Sequence, residues 1–161
     1  MTARYIRATA VEVNGNGLVV RDFSVNNDYA VTVGEGFSPY DYMRDGVITY
    51  FDYAADGDEN TYLDLASESD DTDRTITLRL GESTAVENIY VLSGGLTWAD
   101  TITRMEVYYS ADGVTYSKLG EYADENGVFE IELAQIVQAK YIRLNVLSTG
   151  WVTLREFSVN R

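Results

Sequence analysis

The sequence predicts an all-β chain, a sandwich or barrel of many short strands. In Thr75-Ile76-Thr77-Leu78-Arg79-Leu80 the apolar side chains fall on every second position, the period of a strand with one face in a core and the other in water. Dipeptides that readily supply the positive φ of tight hairpins punctuate such runs at Asn14-Gly15-Asn16-Gly17, Gly94-Gly95, Asp112-Gly113 and Asn126-Gly127. No long segment carries the spacing of an amphipathic helix.

Taken in order, residues 5–13 and 18–25 alternate on either side of the Asn-Gly-Asn-Gly turn and read as a hairpin. Residues 29–33 form a short strand, and 75–80 and 88–92 form two more. Met105, Val107 and Tyr109 put one face of 105–109 inward, ahead of the Asp112-Gly113 turn. Residues 128–133 follow Asn126-Gly127, and 141–147 and 152–159 complete the set. Regular short strands separated by turn signals indicate packed antiparallel sheets.

At 161 residues and 18.0 kDa, the chain has the length of one ordinary domain with a real core. Twelve Lys and Arg against 26 Asp and Glu give a net charge of −14. A field of that sign repels phosphate and disfavours nucleic acid and anionic membranes as partners. His and Cys are both absent, which removes disulfides, thiol nucleophiles, imidazole-based triads and the usual zinc ligands. Carboxylate, hydroxyl and aromatic chemistry remain. No apolar stretch approaches the ~20 residues of a membrane-spanning helix. Met1-Thr2-Ala3-Arg4-Tyr5-Ile6-Arg7 lacks the basic start and apolar middle of a signal peptide.

Two segments recur. Ala3-Arg4-Tyr5-Ile6-Arg7 matches Ala139-Lys140-Tyr141-Ile142-Arg143, and Arg21-Asp22-Phe23-Ser24-Val25-Asn26 matches Arg155-Glu156-Phe157-Ser158-Val159-Asn160. The offsets of 136 and 134 residues are a domain length rather than a solenoid period. Residues 1–26 therefore read as the closing hairpin of a preceding copy, expected to pack on residues 27–161 or on a neighbouring molecule. The alternative is a single sandwich with internal pseudo-symmetry.

Thirteen of the acids lie between Asp28 and Asp73, opposed only by Arg44. Within that span Asp56-Gly57-Asp58-Glu59-Asn60-Thr61 is a hard-cation candidate, since calcium takes about six to eight oxygens and a turn through Gly57 can point acids and a hydroxyl inward. The bland alternative is a solvated loop, and the spacing is not that of an EF-hand. Asp45-Gly46-Val47-Ile48-Thr49 lacks the second acid and is the poorer candidate.

From about Asp28 to Arg161 the chain resembles a discoidin, or coagulation factor 5/8 type C, domain, of the sort classed in bacteria as family 32 carbohydrate-binding modules. Three motifs in order carry the resemblance. They are Asp56-Gly57-Asp58-Glu59-Asn60-Thr61-Tyr62, Met105-Glu106-Val107-Tyr108-Tyr109-Ser110-Ala111-Asp112-Gly113-Val114-Thr115-Tyr116, and Ala139-Lys140-Tyr141-Ile142-Arg143-Leu144 with Trp151 and Leu154-Arg155-Glu156-Phe157. The resemblance implies a jelly-roll β-sandwich over residues 27–161 with one structural calcium ion. Its ligands would be the side chains of Asp56, Thr61 and Glu156, completed by Asp58 and the carbonyls of Tyr53 and Arg155. It further implies a sugar site in loops at one end, where an aromatic platform meets fixed polar groups. By position the candidates are Trp98 and Asp100 in the loop 94–100, Trp151, Tyr40 or Tyr42, and Arg104. Galactose-reading members commonly place a His and an Arg on the sugar. This chain has no His and no Arg in 94–100. Its Gly94-Gly95 pair resembles modules on enzymes acting on N-acetylglucosamine-containing glycans, such as family 84 glycoside hydrolases.

The function so implied is a non-catalytic carbohydrate-binding module of a secreted or cell-surface bacterial glycoside hydrolase, with a glycan ligand and tandem domains as partners. A structural or adhesive module that contacts proteins is the alternative, and it expects both indoles to be buried. A glycosidase is the weakest reading, because among 26 acids some pair will meet the catalytic spacing of about 5–10 Å by chance.

Overall fold

The computed structural model describes residues 29–39, 51–67, 73–95 and 100–161. In chain order these are strand β1 (Tyr29–Val33), β2 (Phe37–Pro39), a 3-10 helix (Phe51–Ala55), β3 (Leu63–Ser67), β4 (Thr75–Ser93), β5 (Arg104–Ser110), β6 (Ser117–Ala123), β7 (Val128–Val146) and β8 (Val152–Val159). Every strand pairing is antiparallel. The hairpin expected over residues 1–26 lies outside the described residues.

Two long strands organise the rest. The first half of β4 pairs with β1 and with the second half of β7, Thr77 opposite Thr32 and Arg143. Its second half pairs with the start of β7 and with β8, Val91 opposite Phe129 and Phe157. Breaks in register between Arg79 and Thr84, and between Val86 and Asn88, mark the corner where both strands cross from one sheet to the other. One sheet is thus β1, β4, β7, β5 and β6, and its partner is β2, β3, β8, β4 and β7. The result is a jelly-roll β-sandwich, as expected.

The two runs expected over 75–80 and 88–92 are halves of one strand, and so are 128–133 and 141–147. The exposed Glu82, Ser83 and Ala85 interrupt the alternation at the corner while the backbone runs on. Strand β3 sits inside the acidic span, and its Leu63-Asp64-Leu65 alternation is only three residues long. Strand β6 is a sheet edge with no fully buried residue, and an edge needs little apolar patterning.

Between the sheets, Leu63, Leu65, Ile76, Leu78, Ile89, Ile102, Met105, Ile142, Leu144, Leu154 and Phe157 form one buried cluster with Val91 and Val107. The 3-10 helix packs on β1, β3 and β8, buries Ala54, and carries the chain into the Asp56 turn.

Main-chain bonds lock the end of the sandwich where β4 and β6 finish and β5 and β8 begin. Ser93 N–H donates to Gly127 O (2.9 Å), Gly94 N–H to Thr153 O (2.8 Å), Thr153 N–H to Asp100 O (2.8 Å), Asp124 N–H to Thr103 O (3.1 Å) and Leu147 N–H to Arg104 O (2.9 Å). Among the described residues this loop end gathers 94–95, 100–103, 124–127 and 147–151. Gly127 is buried there with φ +72°, and a Cβ would lie 2.4 Å from Thr101 Cγ2 and 2.5 Å from Ser93 Oγ. Gly127→Ala is therefore expected to destabilise the chain by about 2 kcal/mol, seen as a lower urea midpoint with an unchanged slope.

Candidate functional site

The acidic turn builds itself from local bonds. Asp58 N–H donates to Asp56 Oδ1 (2.8 Å), and Asn60 N–H and Nδ2 donate to Asp58 Oδ1 (3.0 and 2.8 Å), two side-chain turns of the kind Asp favours. Gly57 supplies the φ of +81° that the reversal needs. Those bonds from Asn60 hold the Asp58 carboxyl below the usual carboxylate range.

At the centre of the turn oxygens crowd one hydroxyl. Thr61 Oγ1 lies 3.0 and 2.9 Å from the two Asp56 carboxylate oxygens, 2.7 Å from Asp58 O and 3.3 Å from Tyr53 O. A hydroxyl carries one proton, so it serves one of these four acceptors at a time. Such a gathering of hydroxyl, carboxylate and carbonyl oxygens has the chemistry of a hard-cation donor set. Asp58 contributes to it through its carbonyl, while its carboxylate is turned onto Asn60.

Strand β8 closes the turn from the other side. Glu156 is 3% exposed, and its Oε2 accepts from Gly57 N–H at 3.0 Å. Burial pushes the Glu156 carboxyl above its ordinary value, and the neighbouring charge of Asp56 adds to that. Arg155 is the extra residue where β8 bulges away from the β4 ladder, and its Nε donates to Glu59 O at 2.7 Å. Arg161 binds the Glu59 carboxylate at 2.6 Å and lies over the Tyr90 ring, 4.1 Å from its centroid. Tyr90 O–H also donates to Glu59 Oε1 (3.0 Å). The bond from Arg161, aided by Tyr90, holds the Glu59 carboxyl below its usual range.

Asp56, Thr61 and Glu156 thus meet at one place, with Tyr53 and Arg155 beside them. Among the described residues no group of three or more His, Cys, Asp or Glu is placed to hold a metal. The convergence here consists of two carboxylates with a hydroxyl and carbonyls. The bonds from Arg155 and Arg161 to Glu59 had no signature in the sequence, because a single Arg in a strand or beyond it marks no partner.

The loop end holds the other set. Asp100 is exposed, adopts φ +62°, and is held through its carbonyl by Thr153. Trp151 immediately precedes β8 and is 42% exposed, and Leu147, where the loop leaves β7, is also exposed. Arg104 stands at the same end, but its guanidinium is engaged by Glu121 of β6, with Nε donating to Glu121 Oε1 at 2.6 Å. Trp98, Tyr40 and Tyr42 lie outside the described residues. No helix among the described residues is long and apolar enough to cross a membrane.

An antiparallel jelly-roll whose last strand closes an acidic oxygen-lined turn, with an aromatic-bearing loop end, defines the class as a discoidin-type β-sandwich. The F5/8 type C domain family matches residues 49–157, and the chain belongs to that family. Its fold is similar to a family 32 carbohydrate-binding module from a family 31 glycoside hydrolase of Clostridium perfringens (TM-score 0.63, 19% identity, 85% of this chain and 96% of that one). It is also similar to a module of a family 89 enzyme from the same organism, solved with GalNAc-β-1,3-galactose (0.66, 22%, 82% and 94%). A third likeness is to the C-terminal domain of a chitobiase from Bacteroides fragilis (0.62, 17%, 83% and 93%). No curated protein matches the chain.

The raised pKa of Glu156 sets a sign. The folded state holds that proton more tightly than the unfolded chain does, so without divalent cations this group's own contribution to stability is present at low pH and is lost as pH rises through its folded pKa. In chelator at pH 7, Glu156→Gln keeps an acceptor for Gly57 N–H and removes the buried charge. It is expected to be at least as stable as the parent, with the gap closing as pH is lowered toward 5. Urea denaturation at the two pH values checks this, and a variant less stable at both would contradict it.

Proposed function

We propose that this protein is a non-catalytic carbohydrate-binding module that holds a neutral glycan at its loop end and is shaped by one structural calcium ion. The observation that carries the reading is Trp151: a large aromatic, 42% exposed, on a loop fixed to the sandwich of an F5/8 type C domain. A rigid indole offers the CH-rich face of a sugar a platform at little entropic cost, and polar groups beside it read the hydroxyl rim. Asp100 supplies one such group, and Trp98, Tyr40 and Tyr42 are further candidates by their position in the sequence. Arg104 stands at the same end with Nε and Nη2 engaged by Glu121, which leaves Nη1 as its remaining donor. The exposure of Trp151 also disfavours the adhesive alternative, which expects both indoles to be buried.

The chemistry of the ligand follows from charge and from the relatives. A chain of net charge −14 disfavours polyanions and leaves neutral sugars. The relative solved with GalNAc-β-1,3-galactose, and a family 89 enzyme solved with GlcNAc-α-1,4-galactose (22% identical, TM-score 0.59) of which this chain spans 14%, support N-acetylhexosamine- or galactose-containing glycans. Such modules act beside a catalytic domain, where tethering turns weak affinity into useful avidity. The recurrence of the terminal segments fits a tandem array in a secreted or cell-surface bacterial glycoside hydrolase.

The residues of the acidic turn suit calcium. The side chains of Asp56, Thr61 and Glu156 would hold it, with the carbonyls of Tyr53, Asp58 and Arg155. Bound there, the ion supplies the positive charge that two adjacent carboxylates lack.

Printing the protein on a glycan array in calcium is the test. Binding to N-acetylhexosamine- or galactose-terminated glycans is expected, weakened by chelator, and Trp151→Ala should lower affinity roughly tenfold or more, as truncating a central aromatic anchor does. No binding to any glycan in the presence of calcium would overturn the reading. Calcium is further expected to raise the melting temperature of the parent at pH 7 and to leave that of Glu156→Gln nearly unchanged.

A further inference from the structure

The loop that carries Trp151 is gripped twice by one residue. Arg74 immediately precedes β4 and is only 6% exposed. Its main-chain carbonyl accepts from Val146 N–H at 2.9 Å, where β7 ends and the loop begins. Its guanidinium Nη2 donates to Gly150 O at 2.7 Å, one residue before Trp151. The same guanidinium stacks on Phe37, with Cζ 4.5 Å from the ring centroid, and Nη1 donates to Ser67 Oγ.

The two ends of the loop are held by main-chain bonds, Leu147 N–H to Arg104 O and Thr153 N–H to Asp100 O. Gly150 adopts φ +94°, and a Cβ built there would meet nothing within 4 Å among the described residues. The loop's own hydroxyl, Ser148 Oγ, is buried without a hydrogen-bond partner among the described residues. Burying a guanidinium carries a desolvation cost that an apolar side chain of similar volume would avoid. An apolar replacement, however, could not hold Gly150 O. The planar fork of Arg sends one nitrogen to β3 and the other to the loop while its face rests on Phe37, a geometry that the single ammonium of Lys cannot reproduce.

We propose that Arg74 is a positioning residue for the glycan site: its buried guanidinium sets the position of Gly150 and thereby the presentation of the Trp151 indole. The inference rests on the reading of the loop end as the glycan site. Arg74 acts from below, through the loop, and makes no contact with the sugar.

The test uses the full chain labelled with 5-fluorotryptophan, whose two resonances are assigned with Trp98→Phe. Arg74→Lys is expected to keep the circular dichroism spectrum and the calcium response. It should shift and broaden the Trp151 fluorine resonance and weaken binding of GalNAc-β-1,3-galactose roughly tenfold, while Trp98 stays in place. A folded Arg74→Lys protein with an unmoved Trp151 resonance and parental affinity would overturn the proposal. If the parent binds no disaccharide, the proposed function fails for this probe, and the fluorine spectrum alone still decides the role of Arg74. Should Arg74→Lys not fold, side-chain ¹⁵N spectra of the parent decide. Slow rotation of the Arg74 guanidinium supports the clamp, and rotation as fast as that of an exposed Arg overturns it.

Discussion

A carboxylate buried under an acidic turn is the constraint on which the rest of this structure depends. Glu156 lies inside the sandwich wall with Asp56 as a neighbour, and a buried charge beside a like charge is stable only when something opposes it. One amide, Gly57 N–H, meets Glu156 directly. Close by, Arg155 and Arg161 engage Glu59 rather than Glu156. The arginines therefore tie the turn to β8 through Glu59, and Arg161 lends Glu156 only a smaller opposing charge than its burial demands. The same closure fastens the 3-10 helix against β1, β3 and β8.

Strand β8 links this turn to the loop end. It begins at Val152, directly after Trp151, is pinned by Gly94 and Asp100 through Thr153, and reaches Glu156 a few residues later. The bulge at Arg155 sits between the acidic turn and the loop end. Through β3 and β4, its neighbours on either side, β8 is fixed within a buried sheet, so the loop that opens it is displayed from a rigid base. Binding energy at such a site is not spent on ordering the scaffold.

The alternating apolar residues of β1, β5 and β8 made those strands legible from sequence, because one face of each meets the core. Where burial is partial or the run is short the pattern is weak: β6 lies at an edge, β3 alternates over only three residues within the acidic span, and the corners of β4 and β7 looked like loops because their side chains face water. The turn at Asp56 and its partner Glu156 could be placed by motif, since their spacing is local or tied to the family pattern. Arg74 could not, because its contacts with Phe37, Ser67 and Gly150 join segments far apart in the chain and no local pattern records them. The same holds for the engagement of Arg104 by Glu121, which turns a residue named for the ligand toward β6.

Anomalous X-ray scattering from crystals grown with calcium tests the central claim most directly. The account predicts one strong peak enclosed by Asp56, Thr61 and Glu156, within about 2.3–2.6 Å of their oxygens. Well-ordered turn residues with no peak between them, or a peak bound elsewhere on the chain, would contradict it.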